Sequence, residues 1–305
     1  MLHVKSLDEG LELFKALGSD MRIQILKLLL ENKQMSMNQL ASKLDITNGA
    51  LTGHIRKLES CGLVSISNDS ASHGNQKLCS VTTNKILIDI MQEQRADNVH
   101  VTEMKVGHFS SRSIQPTCGI ATASGLIGFA DDPRYFDHPD RFNAEILWFT
   151  KGFVEYTVPN FISRDQKITA VSVSCEISSE APGTNSRWPS DISFSINGVP
   201  LGYWTSPGDF GDARGLLTPE WWPENWNQYG LLKQLTVNDQ GTFLDGLRLS
   251  DVTVKELNLA PGQPTTFRMS VLDGAENVGG LTLFGKSFGN YGQDIRFAFS
   301  YAPIQ

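Results

Sequence analysis

Apolar positions recur with two different periods along the chain, and the period changes about a third of the way in. As far as residue 62 the spacing is helical. Leu7, Leu11, Phe14 and Leu17 mark one face of a short helix closed by Gly18, and Met21, Ile25, Leu28 and Leu29 follow i, i+4, i+7, i+8 in a second. Ser36 stands three residues before Gln39, a capping box in which each residue's side chain accepts from the other's backbone N–H. It opens a third helix with Met37, Leu40, Ala41 and Leu44 facing inward. After a break at Asp45-Ile46, Thr47 caps a fourth helix with Leu51, Ile55 and Leu58 inward, and Gly62 ends it. LVSISNDS and QKLCSVTT then flank a polar tip around His73, which predicts a β-hairpin.

Further on the apolar residues alternate. Residues 145–158, 167–178, 191–199, 233–238, 251–259, 265–273, 280–288 and 295–302 read as strands between turn signals. Asn197-Gly198 is a two-residue hairpin turn and Pro261-Gly262 marks another. Composition changes at the same place. All 13 prolines lie at or after Pro116 and all six tryptophans at or after Trp148. The prediction is an α+β multidomain chain: a helical unit closed by a β-hairpin over residues 1–95, a linker over 96–108, and an all-β, jelly-roll-like sandwich over 109–305.

Charge divides with the pattern. The first 95 residues carry net +1 and the remainder −8, giving −7 for the 305-residue chain. With 19% charged and 40% hydrophobic residues, the composition is that of a globular protein. No apolar run reaches about 18 residues, and the start shows no basic segment followed by an apolar stretch, so the expectation is a cytoplasmic protein without a membrane span. Cys61, Cys79, Cys118 and Cys175 are scattered with no C-x-x-C pair, which predicts reduced thiols rather than disulfides or a zinc site. No phosphate-cradling loop, nucleophile elbow or H-E-x-x-H motif is present, and neither a metal nor another cofactor is expected.

Two short helices joined by a tight turn form a helix-turn-helix, whose second helix enters the major groove of duplex DNA. With Leu51, Ile55 and Leu58 inward, the opposite face presents Thr47, Asn48, Gly49, Thr52, Gly53 and Arg56. Asn and Arg make paired hydrogen bonds to adenine and guanine edges. Lys43, Lys57 and Lys77, with His73 at the hairpin tip, are the candidates for phosphate contact in a unit of nearly zero net charge. Gly49 and Gly53 each cost the helix about 1 kcal/mol relative to Ala. Close approach to DNA and close packing on a neighbouring helix are the two explanations.

The order helix, helix, helix-turn-helix, hairpin, centred on ITNGALTGHIRKLESCGLVSI, resembles the ArsR-type winged-helix transcriptional regulators. His54-Ile55-Arg56-Lys57-Leu58 followed by Cys61-Gly62-Leu63-Val64 carries the resemblance, which covers residues 7–95. It implies a homodimer on a pseudo-palindromic operator, paired through the first and last helices, with repression as the mode of control. TTNKILIDIMQEQ, with Ile86, Ile90 and Met91 on one side, is the candidate for the last helix. The metal-sensing members carry cysteine pairs in the first helix of the motif. QMSMNQLASKL has none, so the metal chemistry does not carry over and sensing is expected in the other unit.

The β-rich half holds one conspicuous segment, GYWTSPGDFGDARGLLTPEWWPENWNQYGLLK, which reads as a long functional loop. Aromatic faces beside amides, carboxylates and arginine suit a sugar, whose C–H face packs on an indole while its hydroxyls pair with polar groups. The predicted ligand residues are Tyr203, Trp204, Asp209, Arg214, Trp221, Trp222 and Tyr229, joined by Asn290 and Asp294 of the Gly-rich turn GKSFGNYGQDIRF. The alternative is that Trp221, Trp222 and Trp226 plug the end of the sandwich. The acidic loop with Asp131, Asp132, Asp137, His138 and Asp140 matches no calcium-loop spacing and reads as solvated.

This half resembles carbohydrate-binding jelly-roll modules in architecture, without a diagnostic motif. The expectation is therefore a non-enzymatic regulator that binds a DNA operator and a small effector, a sugar or oligosaccharide. Two other readings stay open: a sandwich used for oligomerisation or protein contact, and a glycoside-active enzyme using Asp209, Asp212 and Glu220.

Overall fold

The computed structural model describes residues 2–4, 7–68, 77–83, 86–88 and 98–304, which fall into two compact units, Met1–Gln94 and Arg95–Gln305. The first contains β1 (Leu2–Val4), α1 (Leu11–Leu17), α2 (Asp20–Asn32), β2 (Gln34–Ser36), α3 (Met37–Leu44), α4 (Asn48–Ser60), β3 (Val64–Asn68), β4 (Lys77–Val81) and β5 (Ile86–Ile88). Leu13, Ile25, Leu29, Leu40, Leu51, Ile55, Leu58 and Leu63 form its core. The Ser36–Gln39 capping box is present in both directions, and β2, β4 and β3 form an antiparallel wing sheet.

Two details differ from the sequence reading and one, the second, adds to it. First, α1 begins only at Leu11. It buries Leu13 and Ala16 and leaves Leu7 and Leu11 exposed. Gly10 sits under the Phe14 ring, where a Cβ would lie 2.5 Å away, and this close fit rotates the helix face. Second, Arg22 is buried. Its guanidinium donates to the carbonyls of Ala16 and Lys15 and so caps the end of α1. Third, Ile86–Ile88, expected in a last helix, is a strand paired parallel with β1, as its β-branched side chains favour. Ile90 and Met91 lie outside the described residues, as does His73 at the wing tip.

The second unit is an antiparallel sandwich of thirteen strands: β6 (Val99–Met104), β7 (Ser111–Thr122), β8 (Gly125–Leu126), β9 (Ile146–Val158), β10 (Gln166–Ser178), β11 (Ser190–Ile196), β12 (Val199–Ser206), β13 (Leu231–Val237), β14 (Thr242–Leu244), β15 (Leu247–Ser250), β16 (Thr265–Val271), β17 (Leu281–Phe284) and β18 (Ile295–Pro303). One layer runs β8, β7, β9, β16, β11, β12 and the other β6, β18, β10, β13, β14, β15. β17 pairs with both β9 and β10 and joins the layers at one end. The core lies between them, where Phe267 of β16 meets Phe297 of β18 edge to face, ring centroids 5.5 Å apart.

Asn197 and Gly198, both at positive φ, turn β11 into β12 as predicted. Residues 251–259 are not a strand: Glu256 accepts from the Thr253 N–H and hydroxyl, and this local cap winds Val254–Leu257 into a single 3₁₀ turn. Residues 99–104, read as linker, form β6 along β18. Tyr203 and Trp204, read as loop, lie on β12.

Candidate nucleic-acid interface and ligand cleft

The α3–α4 pair carries the DNA-facing candidates. Asp45 in the left-handed region turns the chain after α3, and Thr47 Oγ1 accepts from the Ala50 N–H at 3.2 Å to cap α4. Leu51, Ile55 and Leu58 are sealed in the core. Lys43, Thr47, Asn48, Gly49, Gly53, Arg56, Lys57 and Lys77 are exposed and Thr52 is half-buried. Every described member of the predicted set therefore faces outward. Among the described residues no ion pair holds Lys43, Arg56, Lys57 or Lys77, so these cations keep their full charge for a polyanion. Asn48 donates from Nδ2 to Asn38 Oδ1 at 2.9 Å. This bond fixes the amide plane and leaves Asn48 Oδ1 and the second N–H outward. Nothing lies within 4 Å of a Cβ placed on Gly53, so packing on a neighbouring helix of this chain does not explain that glycine.

The ligand candidates of the sandwich do not converge as the sequence suggests. Trp204 packs on the core beside Lys233, whose ammonium sits 4.6 Å from the ring centroid, and Tyr203 stands exposed next to it on β12. Arg214 braces its own loop by donating to the Pro219 carbonyl. Tyr229 stacks on Phe210 and donates to Asp212. Asn290 accepts from the Leu216 N–H, and Asp294 accepts from the Lys286 N–H while burial raises its pKa. Arg214, Asn290 and Asp294 thus brace backbone, and Tyr229 braces a neighbouring side chain.

A cleft of about 170 Å³ lies instead at the end of the sandwich where β17 joins the layers. Side-chain alternation explains its position. Leu147 and Phe149 of β9 point into the main core, so Ile146 and Trp148 point out. Thr282 and Phe284 of β17 stand opposite Trp148 and Ile146 and share that outer face. Gly119 of β7 pairs with Trp148, and a Cβ there would lie 2.1 Å from the indole, so the glycine gives the ring its bed. The Trp-rich loop folds over this face and is pinned by its own hydrogen bonds: Trp222 Nε1 to the Asn227 carbonyl, Gln228 Nε2 to those of Pro223 and Trp226, and Trp221 Nε1 to that of Ala123.

Trp148, Trp222 and Trp226 meet edge to face with centroids 5.0–5.7 Å apart. Trp222 is thus both a wall of the cleft and the centre of a small core with Phe284 and Phe288. Glu180, Asn227, Asp131 and Thr117 supply the polar lining. Of the predicted ligand residues only Trp222 lines the cleft; Asp209 lies sealed behind it. Glu180 Oε2 accepts from Thr282 Oγ1 at 2.8 Å. Burial first, and the charge of Asp209 second, push the Glu180 carboxyl well above the ordinary carboxylate range, and burial raises Asp209 to about 7.

Trp148, Glu180 and Thr282 escaped the sequence reading because they come from separate strands and strand ends. Only the Ile146–Trp148 alternation hinted that an indole points out of the core. The acidic loop is tied up internally: Asp131 accepts from the Cys118 N–H, Asp132 pairs with Arg134 and Asp137 with Arg112. No cluster among the described residues could hold a metal ion.

Residues 19–65 match the winged helix-turn-helix DNA-binding family model. An uncharacterized protein of Methanocaldococcus jannaschii is 38% identical over 71 residues, which cover 23% of this chain and 76% of that protein. The structure of HlyU from Vibrio cholerae is similar at 28% identity and a TM-score of 0.22, covering 25% of this chain and 76% of that one. A carbohydrate-binding module of family CBM36, solved in complex with calcium and xylotriose, aligns with 66% of this chain and 99% of its own at 9% identity and a TM-score of 0.27. A helix-turn-helix with an outward polar face, a three-stranded wing and a family match over residues 19–65 lead to one conclusion: the N-terminal unit is a winged helix-turn-helix DNA-binding domain.

Proposed function

We propose that this protein is a cytoplasmic transcriptional regulator, a homodimeric repressor, that binds operator DNA through α4 and a small carbohydrate effector in the Trp148–Trp222–Trp226 cleft. The observation that carries the reading is the pairing of an exposed, charge-unpaired recognition face with a separate, aromatic-walled cleft whose floor is polar. An indole wall takes the C–H face of a pyranose, and Glu180 meets its hydroxyls. Exposed Leu7 and Leu11 beside α1 support pairing of two copies on that side.

The effector acts only if it binds one DNA-affinity state better than the other. The role is binding rather than hydrolysis. Asp209 is sealed, Asp212 is tied to Tyr229 and Glu220 is exposed, so these three do not meet across a ligand. Gel-shift titration of the full chain on the DNA upstream of its own gene, with and without a panel of sugars, tests the reading. The expected result is specific binding that at least one sugar weakens. Equal binding to unrelated DNA, or no effect of any sugar, contradicts it.

A further inference from the structure

The floor of the cleft is chemically asymmetric. Glu180 follows β10 and lines the cleft beside Asn227, with one oxygen engaged by Thr282 of β17. Behind it Asp209 is fully sealed. Its Oδ2 accepts from the Ala181 N–H at 3.0 Å, and its Oδ1 has no partner. Among the described residues no ion pair reaches either carboxyl. The groups that face Glu180 are Asp209 from the segment after β12, Asp131 from the turn after β8, and Cys118 of β7, whose thiol burial pushes to about 12; none is a cation. Burial first, and the nearby Asp209 carboxyl second, disfavour ionisation of Glu180, and no cation offsets them, so its protonated form is favoured. Asn227 donates from Nδ2 to Ser178 Oγ at 2.6 Å, while its Oδ1 is buried without a partner. Asn227 is thus spent on the fold, and the floor offers the Glu180 carboxyl, which as an acid donates through its O–H and accepts through its other oxygen. A hydroxyl group, itself donor and acceptor, satisfies both.

We propose that Glu180 determines the charge preference of the cleft, so that the site takes an uncharged, hydroxyl-bearing ring and turns away carboxylate- and ammonium-bearing forms of the same ring. The inference rests on the carbohydrate reading above. A carboxylate ligand meets Asp131 and the Glu180–Asp209 pair with no cation to balance it. An ammonium ligand requires Glu180 to ionise in an apolar cleft, where desolvating both charges opposes the gain from pairing them. A neutral ring needs neither. By its volume the cleft has room for about one ring.

The test is tryptophan-fluorescence titration of the full chain with matched methyl glycosides of neutral hexoses, hexuronic acids and hexosamines in gluco, galacto and manno forms, at pH 6 and pH 9. The neutral member of one set is expected to bind at least tenfold tighter than its charged counterparts at pH 6. Its affinity falls at least threefold at pH 9 as Glu180 gives up its proton. Glu180→Gln, which keeps a donor but cannot ionise, binds the neutral glycoside equally at pH 6 and pH 9, so the pH dependence is lost. Tightest binding of a hexosamine or a hexuronic acid, or a pH dependence unchanged in Glu180→Gln, overturns the inference and leaves the carbohydrate reading standing. Binding of no glycoside in any set overturns both.

Discussion

The recognition helix and the tryptophan cleft present their chemistry in opposite ways. On α4 the charged side chains Arg56 and Lys57 stand in water with no ion pair among the described residues, on the far side of a helix held by Leu51, Ile55 and Leu58. Removing either leaves the core untouched. In the cleft the same residues build both fold and wall: Trp222 is a wall and a core residue at once, and Glu180 lines the floor with a buried acid nearby. A site laid over a helix separates binding from stability, whereas a site dug into the end of a sandwich joins them. Five substitutions test this contrast.

The largest effect is expected for Trp222→Ala. It removes an indole that meets three other tryptophans and Phe288 and costs about 3–5 kcal/mol of stability, read by denaturant unfolding. A variant that keeps full stability would separate site from core in the cleft as well. Arg56→Ala, at the exposed site, lowers DNA affinity by about 1–3 kcal/mol and relaxes one base position, with an unchanged melting temperature; a gel-shift series checks the first and calorimetry the second.

Asp209→Asn probes the buried pair through pH. The Asp209 pKa is about 7 in the fold, against 3.8 for an aspartate side chain in water. The folded state therefore holds the proton over that interval while the unfolded chain has lost it, and stability falls as pH rises from about 4 to about 7. Asn mimics the protonated acid, so the variant matches the parent near pH 4 and exceeds it by on the order of 2 kcal/mol at pH 8. Thermal melts across pH check the slope, and a parent whose stability rises over that range contradicts the assignment. Gly53→Ala raises helix stability by about 1 kcal/mol, since nothing obstructs the methyl. It weakens DNA binding if the backbone there approaches the duplex, and unchanged affinity removes that role. The smallest effect is expected for Asn38→Ala, which frees the Asn48 amide. It costs less than about 1 kcal/mol in discrimination at one base pair and nothing in non-specific affinity, as measured by competition with mutated duplexes.

The same contrast explains what the sequence disclosed. Helix faces, caps and the Asn197-Gly198 turn depend on residues a few positions apart, so α2, α3, α4 and the wing strands could be read directly. The sandwich class could be read too, because alternation survives in β9, β10 and β16. The last helix could not: Ile86–Ile88 becomes a strand only because Leu2–Val4 lies beside it. Residues 99–104 look like a linker because β18, their partner, lies nearly 200 residues away. The cleft failed for the same reason, joining β9, β17, the end of β10 and the Trp-rich loop. Aromatic content drew attention to that loop but not to the partners beneath it. Arg214, Tyr229 and Asn290, chosen for their chemistry, proved to be braces.

The most direct test of the account is the affinity of the full chain for duplex DNA from upstream of its own gene, measured by fluorescence anisotropy with and without a saturating neutral sugar, beside Trp226→Ala. The account predicts specific binding that the sugar weakens in the parent and leaves unchanged in the variant. Binding that ignores the sugar in both, or that the sugar weakens equally in both, would contradict control through the cleft.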